Sequence, residues 1–180
     1  MAQEIMIPVK LNEKTFKRFA RFDMLYLRKR WVRPCIFALI LTAFAFIALF
    51  SKKNEAALIA SVLLVVGLGL PIVYIGMFLS QVNMQAVRQR LTKDGRRVYD
   101  VCLTDGEVIV VNRQKADEKV VLPWKDVKQA YRVKGCIYLY VHAARAFLLP
   151  DGQANVSPED VWTFITAHMD PGKCRSFMRH

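Results

Sequence analysis

The pattern of apolar and polar positions divides the chain into four zones. The first is short and alternating. Ile5, Ile7, Val9 and Leu11 take every second place in residues 4–11, which predicts a strand. Pro8 cannot donate to a ladder, so an edge position is expected. Asn12 is placed to cap a helix from Glu13. In the second zone, residues 13–33, Phe16, Phe19, Phe22 and Tyr26 recur at helical spacing among basic residues. The third zone is two near-continuous apolar runs, residues 31–51 and 56–79, joined by Ser51-Lys52-Lys53-Asn54-Glu55. The fourth, from residue 97, returns mainly to a period of two.

A helix rises about 1.5 Å per residue, so roughly 20 residues cross a bilayer core of about 30 Å. Both runs meet that length and neither contains a charged residue within its apolar core. They predict a transmembrane hairpin; the competing reading is a pair of helices buried in a soluble protein. Pro34 is expected to break the chain just before the first span. Pro71, after Gly67-Leu68-Gly69-Leu70, predicts a kink in the second. Ala56-x-x-x-Ala60 and Ala57-x-x-x-Ser61 offer small faces for helix packing.

Charge then sets orientation. The formal net charge is +12. Most of the excess lies beside the apolar runs: Lys17, Arg18, Arg21, Arg28, Lys29, Arg30 and Arg33 before them, Arg88, Arg90, Lys93, Arg96 and Arg97 after them. Basic flanks stay inside, so both termini are expected in the cytoplasm of a multi-pass cell (inner) membrane protein. An excess concentrated there argues against a nucleic-acid partner and toward contact with the lipid bilayer. These residues, Lys93 apart, are the candidate membrane-surface site. The helix 13–33 has two readings. It could lie in the headgroup layer, or it could pack as a stalk against a juxtamembrane helix, residues 80–94, through Met84, Val87 and Leu91. The stalk is the favoured expectation.

Residues 97–170 predict six strands: 98–104, 107–113, 119–122, 127–133, 136–142 and 145–149. Asp105-Gly106 marks a two-residue hairpin. Ser157-Pro158-Glu159-Asp160 caps a helix whose apolar face is Val161, Phe164, Ile165 and Met169. Residues 171–180 form a tail. The expected class is α+β: a helical membrane hairpin plus an antiparallel, pleckstrin-homology-like split barrel closed by a helix. The strand 1–12 has no neighbour before the hairpin, so it is expected to pair with this domain.

The order of these parts resembles the YcxB-like family of small bacterial membrane proteins. The resemblance rests on Leu122-Pro123-Trp124-Lys125-Asp126-Val127, Tyr138-Leu139-Tyr140-Val141, Phe147-Leu148-Leu149-Pro150 and the final helix. Asp151-Gly152 stands where basic residues often follow the proline. The resemblance implies a PH-like domain and no catalytic site.

Chemical motifs point the same way. There is no glycine-rich phosphate loop, no G-x-S-x-G and no H-E-x-x-H. His142, His168 and His180 are scattered, and Cys35, Cys102, Cys136 and Cys174 form no C-x-x-C pair, so no metal, cofactor or disulfide is expected. The expectation is a non-catalytic binding or regulatory protein that recognises a protein or peptide partner or another copy of itself. The alternative is a lipid-sensing or membrane-remodelling protein acting through residues 13–33.

Overall fold

The computed structural model describes residues 4–29, 31–50, 55–88, 90–91, 94–113, 118–142 and 145–178. Two compact units emerge. One joins Met1–Thr15 to Leu91–His180, and the other is Phe16–Arg90.

The first unit is built on two sheets. Strand β1 (Ile5–Leu11) pairs antiparallel with β2 (Arg96–Leu103), followed by β3 (Glu107–Asn112) and β4 (Lys119–Pro123). Ile5, Ile7, Val9 and Leu11 are all buried, while Met6 and Lys10 are exposed. Period two therefore becomes one dry face and one wet face. Leu11 pairs with Arg96 in a register that slips once, at Val9/Lys10. Asn12 Oδ1 accepts the Thr15 N–H at 2.7 Å and turns the chain into α1 (Glu13–Phe22).

The second sheet runs β7 (Arg145–Pro150), β6 (Cys136–His142), β5 (Gln129–Val133) and β8 (Cys174–Ser176). Strand β8 is parallel to β5 and lies in the expected tail, so the strands are not all antiparallel. Strand β5 starts at Gln129, because Trp124–Asp126 forms a 3-10 turn first. At Lys134-Gly135 the hairpin has two residues and Gly135 takes φ 84, where glycine has no Cβ to clash. The Asp105-Gly106 connection is longer than the expected two residues, since the last ladder pair is Leu103 with Val108. Thr104 explains the difference. Its N–H and its hydroxyl both donate to the Glu107 carbonyl, and its Oγ1 accepts the Glu107 N–H.

The helix α4 (Pro158–His168) is capped by Ser157, whose Oγ accepts the Asp160 N–H at 3.1 Å. Val161, Phe164, Ile165 and Met169 are buried. Arg132 of β5 holds Glu159 of α4. At the far end, Trp124 stacks on His168 and donates its indole N–H to Thr104 O at 2.8 Å. Those contacts tie the helix to the β2–β3 turn.

Side chains close the open edges where β1 and β7 approach each other. The Gln153 amide accepts the Lys10 N–H at 2.7 Å and donates to Lys10 O at 3.0 Å. The Tyr99 hydroxyl accepts the Leu148 N–H at 2.8 Å and donates to Leu148 O at 3.1 Å. Burial pushes the Tyr99 phenol well above its ordinary range, so it stays a donor.

The second unit contains α2 (Val32–Phe50) and α3 (Ala56–Arg88), which pack along each other. Both are long and apolar enough to cross a membrane. Their contact uses small residues. Ala45, Ala56, Ala60 and Gly67 are buried. A Cβ on Gly67 would meet Leu41 Cβ at 3.2 Å and Ala38 O at 3.4 Å. Ala57 and Ser61, the other small pair, are exposed. Large apolar residues cover the outside, among them Leu39, Phe50, Val65 and Ile72.

Three expectations change in this unit. First, α1 ends at Phe22 and passes into a π-helical turn, Asp23–Leu27, so residues 13–33 are not one helix. Second, α2 begins at Val32, before Pro34. Proline's missing N–H costs nothing in a first turn, so Pro34 sits inside the helix start instead of breaking it. Third, α3 runs through Pro71 and on to Arg88, so the juxtamembrane segment to that point is the end of the span helix and not a separate helix. Met84 and Val87 are exposed and Val82 and Ala86 are buried. Of the residues expected in the stalk, Met84 and Val87 are thus exposed, while Leu91 is buried. The expected stalk therefore loses Met84 and Val87 as contacts.

Two predictions follow from these contacts. Tyr99→Phe leaves the Leu148 N–H and C=O unpaired and should cost about 1–3 kcal/mol, while Gln153→Ala, at an exposed edge, should cost about 1 kcal/mol. Denaturant unfolding of the two variants measures the difference. In the hairpin, Gly67→Leu forces a side chain into α2 and should cost about 1–3 kcal/mol. Gly69→Ala and Gly76→Ala meet nothing within 4 Å and should leave thermal stability in detergent unchanged.

Candidate functional site

The basic residues singled out by sequence do not form one surface. Lys17, Arg18 and Arg21 lie on α1, Lys17 half-buried and the two arginines exposed. The aromatic side of that helix is turned inward: Phe16 and Phe22 are buried and Phe19 is half-buried. Arg28 follows the π-helical turn, with its Nε 2.9 Å from Asp23 Oδ2. Its backbone N–H closes the same turn on Asp23 O. Lys29 is exposed in the left-handed region at φ 44, and Arg33 is exposed in the first turn of α2. Arg30 lies outside the described residues, as do Lys52, Lys53 and Lys93. Arg88 and Arg90 are exposed at and after the end of α3, Arg90 at φ 50.

Arg96 and Arg97 belong to the other unit, at the start of β2. Arg97 is committed to an internal partner. Its Nε donates to Asp100 Oδ1 at 2.7 Å, and Arg113 bonds the other carboxylate oxygen. Burial by itself would raise the Asp100 pKa. The hydrogen bonds and charges of Arg97 and Arg113 outweigh it and hold the carboxyl below its usual range. Arg97 is thus an exposed cation paired with Asp100.

The π-helical turn brings out residues that helical spacing hides. Leu25, Tyr26 and Trp31 are exposed, at 47%, 60% and 41%. The Trp31 indole N–H donates to Leu25 O at 3.2 Å, which fixes the ring beside the turn. Tyr26 stacks on Phe22, ring centroids 5.5 Å apart. In an unbroken α-helix Tyr26 would share the inward face of Phe22. The wider π turn lets it keep the stack while facing outward.

A second feature lies on the outer face of the first sheet. Cross-strand pairing aligns Met6, Cys102, Ile109 and Val121 in one row across all four strands. Met6 and Val121 are exposed, and Cys102 and Ile109 are half-buried. The Cys102 thiol is directed at Glu4 Oε1, 2.9 Å away. Burial first, then Glu4, pushes the thiol up to about 11, so it is a protonated apolar group and not a nucleophile. Strand β4 ends this sheet, and among the described residues its only ladder partner is β3. Asn112 donates to Glu118 O. Antiparallel pairs alternate, so Val120 and Leu122 bond inward while Lys119 and Val121 present their backbone groups outward. Pro123 takes the next outward position and has no N–H to lose.

Among the described residues no group of His, Cys, Asp and Glu could hold a metal ion. His168 bonds Phe164 O through Nδ1 and lies 3.5 Å from Asp105, a helix-end contact.

The Asp100 arrangement predicts a pH profile. Its folded pKa is depressed, so its contribution is fully present above the unfolded value of about 3.9 and fades as pH falls through the lower folded value. Asp100→Asn should destabilise the protein equally from about pH 8 to about pH 5. The gap to wild type should close below about pH 4. Arg97→Gln should be non-additive with it in the same denaturation series.

Against known protein families, curated proteins and solved structures, the chain shows no match.

Proposed function

We propose that this chain is a membrane-anchored, non-catalytic binding protein of the YcxB-like kind. The hairpin of α2 and α3 is the anchor, with both flanks on the cytoplasmic side of the cell membrane. The β-rich unit is a PH-like split barrel that binds an extended peptide segment of a partner by strand addition.

Topology is supported from two directions. Lysine and arginine flank the apolar runs. Independently, β1 and β2 pair Leu11 with Arg96, so the two ends of the intervening excursion meet. An excursion that leaves and returns to one point crosses a bilayer an even number of times. Two helices of sufficient length supply two crossings. For the PH-like reading, the support is two largely antiparallel sheets followed by an amphipathic helix on the second.

The single observation that carries the binding function is the open edge of β4. It joins outward backbone groups that have no ladder partner among the described residues to an apolar outer row, Met6–Cys102–Ile109–Val121. A sheet edge gives an added strand its main-chain bonds, and the adjoining side chains give it selectivity. The edges of β1 and β7 differ, since Gln153 and Tyr99 close them at Lys10 and Leu148.

A photocrosslinking residue at Val121 in the full chain, in native membranes, should give a discrete adduct. Lys119→Pro deletes a neighbouring outward N–H without touching the β3 ladder, and should abolish that adduct. The same crosslinker at Thr163, on the exposed side of α4, should give none. An adduct that survives Lys119→Pro, or no adduct at Val121, sinks the strand-addition reading.

A further inference from the structure

We propose that the connection between α1 and α2 is a binding site for anionic phospholipid headgroups. The inference rests on the membrane reading of the hairpin. It goes beyond that reading by naming the residues and the lipid class. The site is made by Leu25, Tyr26 and Trp31 as apolar and aromatic contacts, and by Lys29 and Arg33 as cations.

Three observations converge on this stretch. It sits directly before the apolar helix α2, which begins at Val32. Residues here must lie at the boundary of whatever solvates that helix. Leu25, Tyr26 and Trp31 in it are exposed, although Met24 beside them and Phe16 and Phe22 of α1 are buried. Tyrosine and tryptophan are favoured at such boundaries because the ring is apolar and the polar tip can reach water or a headgroup. Its charges are basic: Lys29 and Arg33 are exposed and Asp23 already faces Arg28. A phosphate meets cations there, not carboxylates.

The same reasoning excludes Arg88 and Arg97. Arg88 lies nine positions beyond Leu79, the last residue of the apolar run, and α3 stays helical between them. That separates it by about 13 Å of helix from the apolar limit. Screening leaves little attraction beyond about 10 Å at 0.1 M salt. Arg97 is held by Asp100. The insertion of α1 through Phe16 and Phe22 is excluded as well, because both are buried. Among the described residues the turn combines an apolar wedge with cations beside the apolar helix.

The test uses the full chain in vesicles of equal parts phosphatidylcholine and phosphatidylglycerol. Bromine is placed on the acyl chains of one lipid or of the other. Quenching of Trp31 is read as the difference between wild type and Trp31→Phe, which removes the signal of Trp124 and Trp162. Brominated phosphatidylglycerol should quench Trp31 about twofold or more above brominated phosphatidylcholine. The ratio should fall toward one in Lys29→Gln/Arg33→Gln and on raising salt from about 0.1 M to about 1 M, where the screening length drops to about 3 Å. Carbonate washing of the vesicles precedes each measurement. Release of the protein overturns the membrane reading and this inference together. Retention with equal quenching by both lipids, or with a ratio that Lys29→Gln/Arg33→Gln leaves unchanged, overturns this inference alone.

Discussion

The pairing of β1 with β2 is the constraint on which the other features depend. Four buried apolar side chains on β1 complete a sheet whose other strands all follow residue 95. Burying a Val, Leu or Ile is worth about 1.5–3 kcal/mol, so this strand has a strong reason to return. Returning costs the closure of a long excursion, but that cost grows only as the logarithm of length. Most of the excursion is also helical already, which leaves less chain to order. The register then does something that apolar runs alone cannot do. It brings Leu11 beside Arg96, with Gly95 packed on Leu11 and Asn12. Two termini that flank a hairpin are thereby made into one place.

That closure leaves polar backbone at the margins of both sheets, and the protein treats its margins differently. Near β1 and β7 two side chains substitute for a missing ladder. The Gln153 amide offers one donor and one acceptor, as a backbone unit does, and the Tyr99 hydroxyl does the same in a drier setting. At β4 no such substitute is present among the described residues, and the face beside it is apolar. An unprotected edge is usually blunted by charge or proline. Lys119 and Pro123 stand at the two ends of β4, leaving Val120, Val121 and Leu122 between them. Such an edge limits pairing to a short segment, which suits a peptide better than a growing sheet.

The repeated alternation in residues 5–11 and 136–142, the Asn12 and Ser157 caps and the apolar face of α4 were legible in the sequence because each is a local pattern with a local cause. What was not legible had distant causes. Met84 and Val87 share a helical face that appears suited to the Phe16 stripe. The buried positions of α3 lie elsewhere: Ala56, Ala60 and Gly67, and further along Val82 and Ala86. The π-helical turn has no marker residue in Asp23-Met24-Leu25-Tyr26-Leu27. Strand β8, Cys-Arg-Ser, carries no apolar alternation and is held by parallel backbone pairing with β5. For the same reason the candidate surfaces were only half visible. Counting lysines and arginines located a basic flank, but could not show that Arg97 is spent on Asp100 or that Tyr26 faces outward.

Charge in this chain has to be read together with its partners. A basic residue near an apolar run attracts an anionic surface only if its field is not already met by a carboxylate. Arg97 and Arg113 converge on Asp100, and Arg28 faces Asp23, so these arginines hold turns and strand ends in place. Lys29 and Arg33 are exposed within the first residues around the start of α2. The left-handed backbone at Lys29 helps to explain why. A non-glycine residue there pays a conformational cost, and it ends the preceding π-helical turn so that α2 can start in a new direction. The break that exposes the cations is thus the same break that turns Leu25, Tyr26 and Trp31 outward. Aromatic wedge and basic charge arise from one local departure from α-helical geometry, and a continuous helix through residues 13–33 would have presented neither in this arrangement.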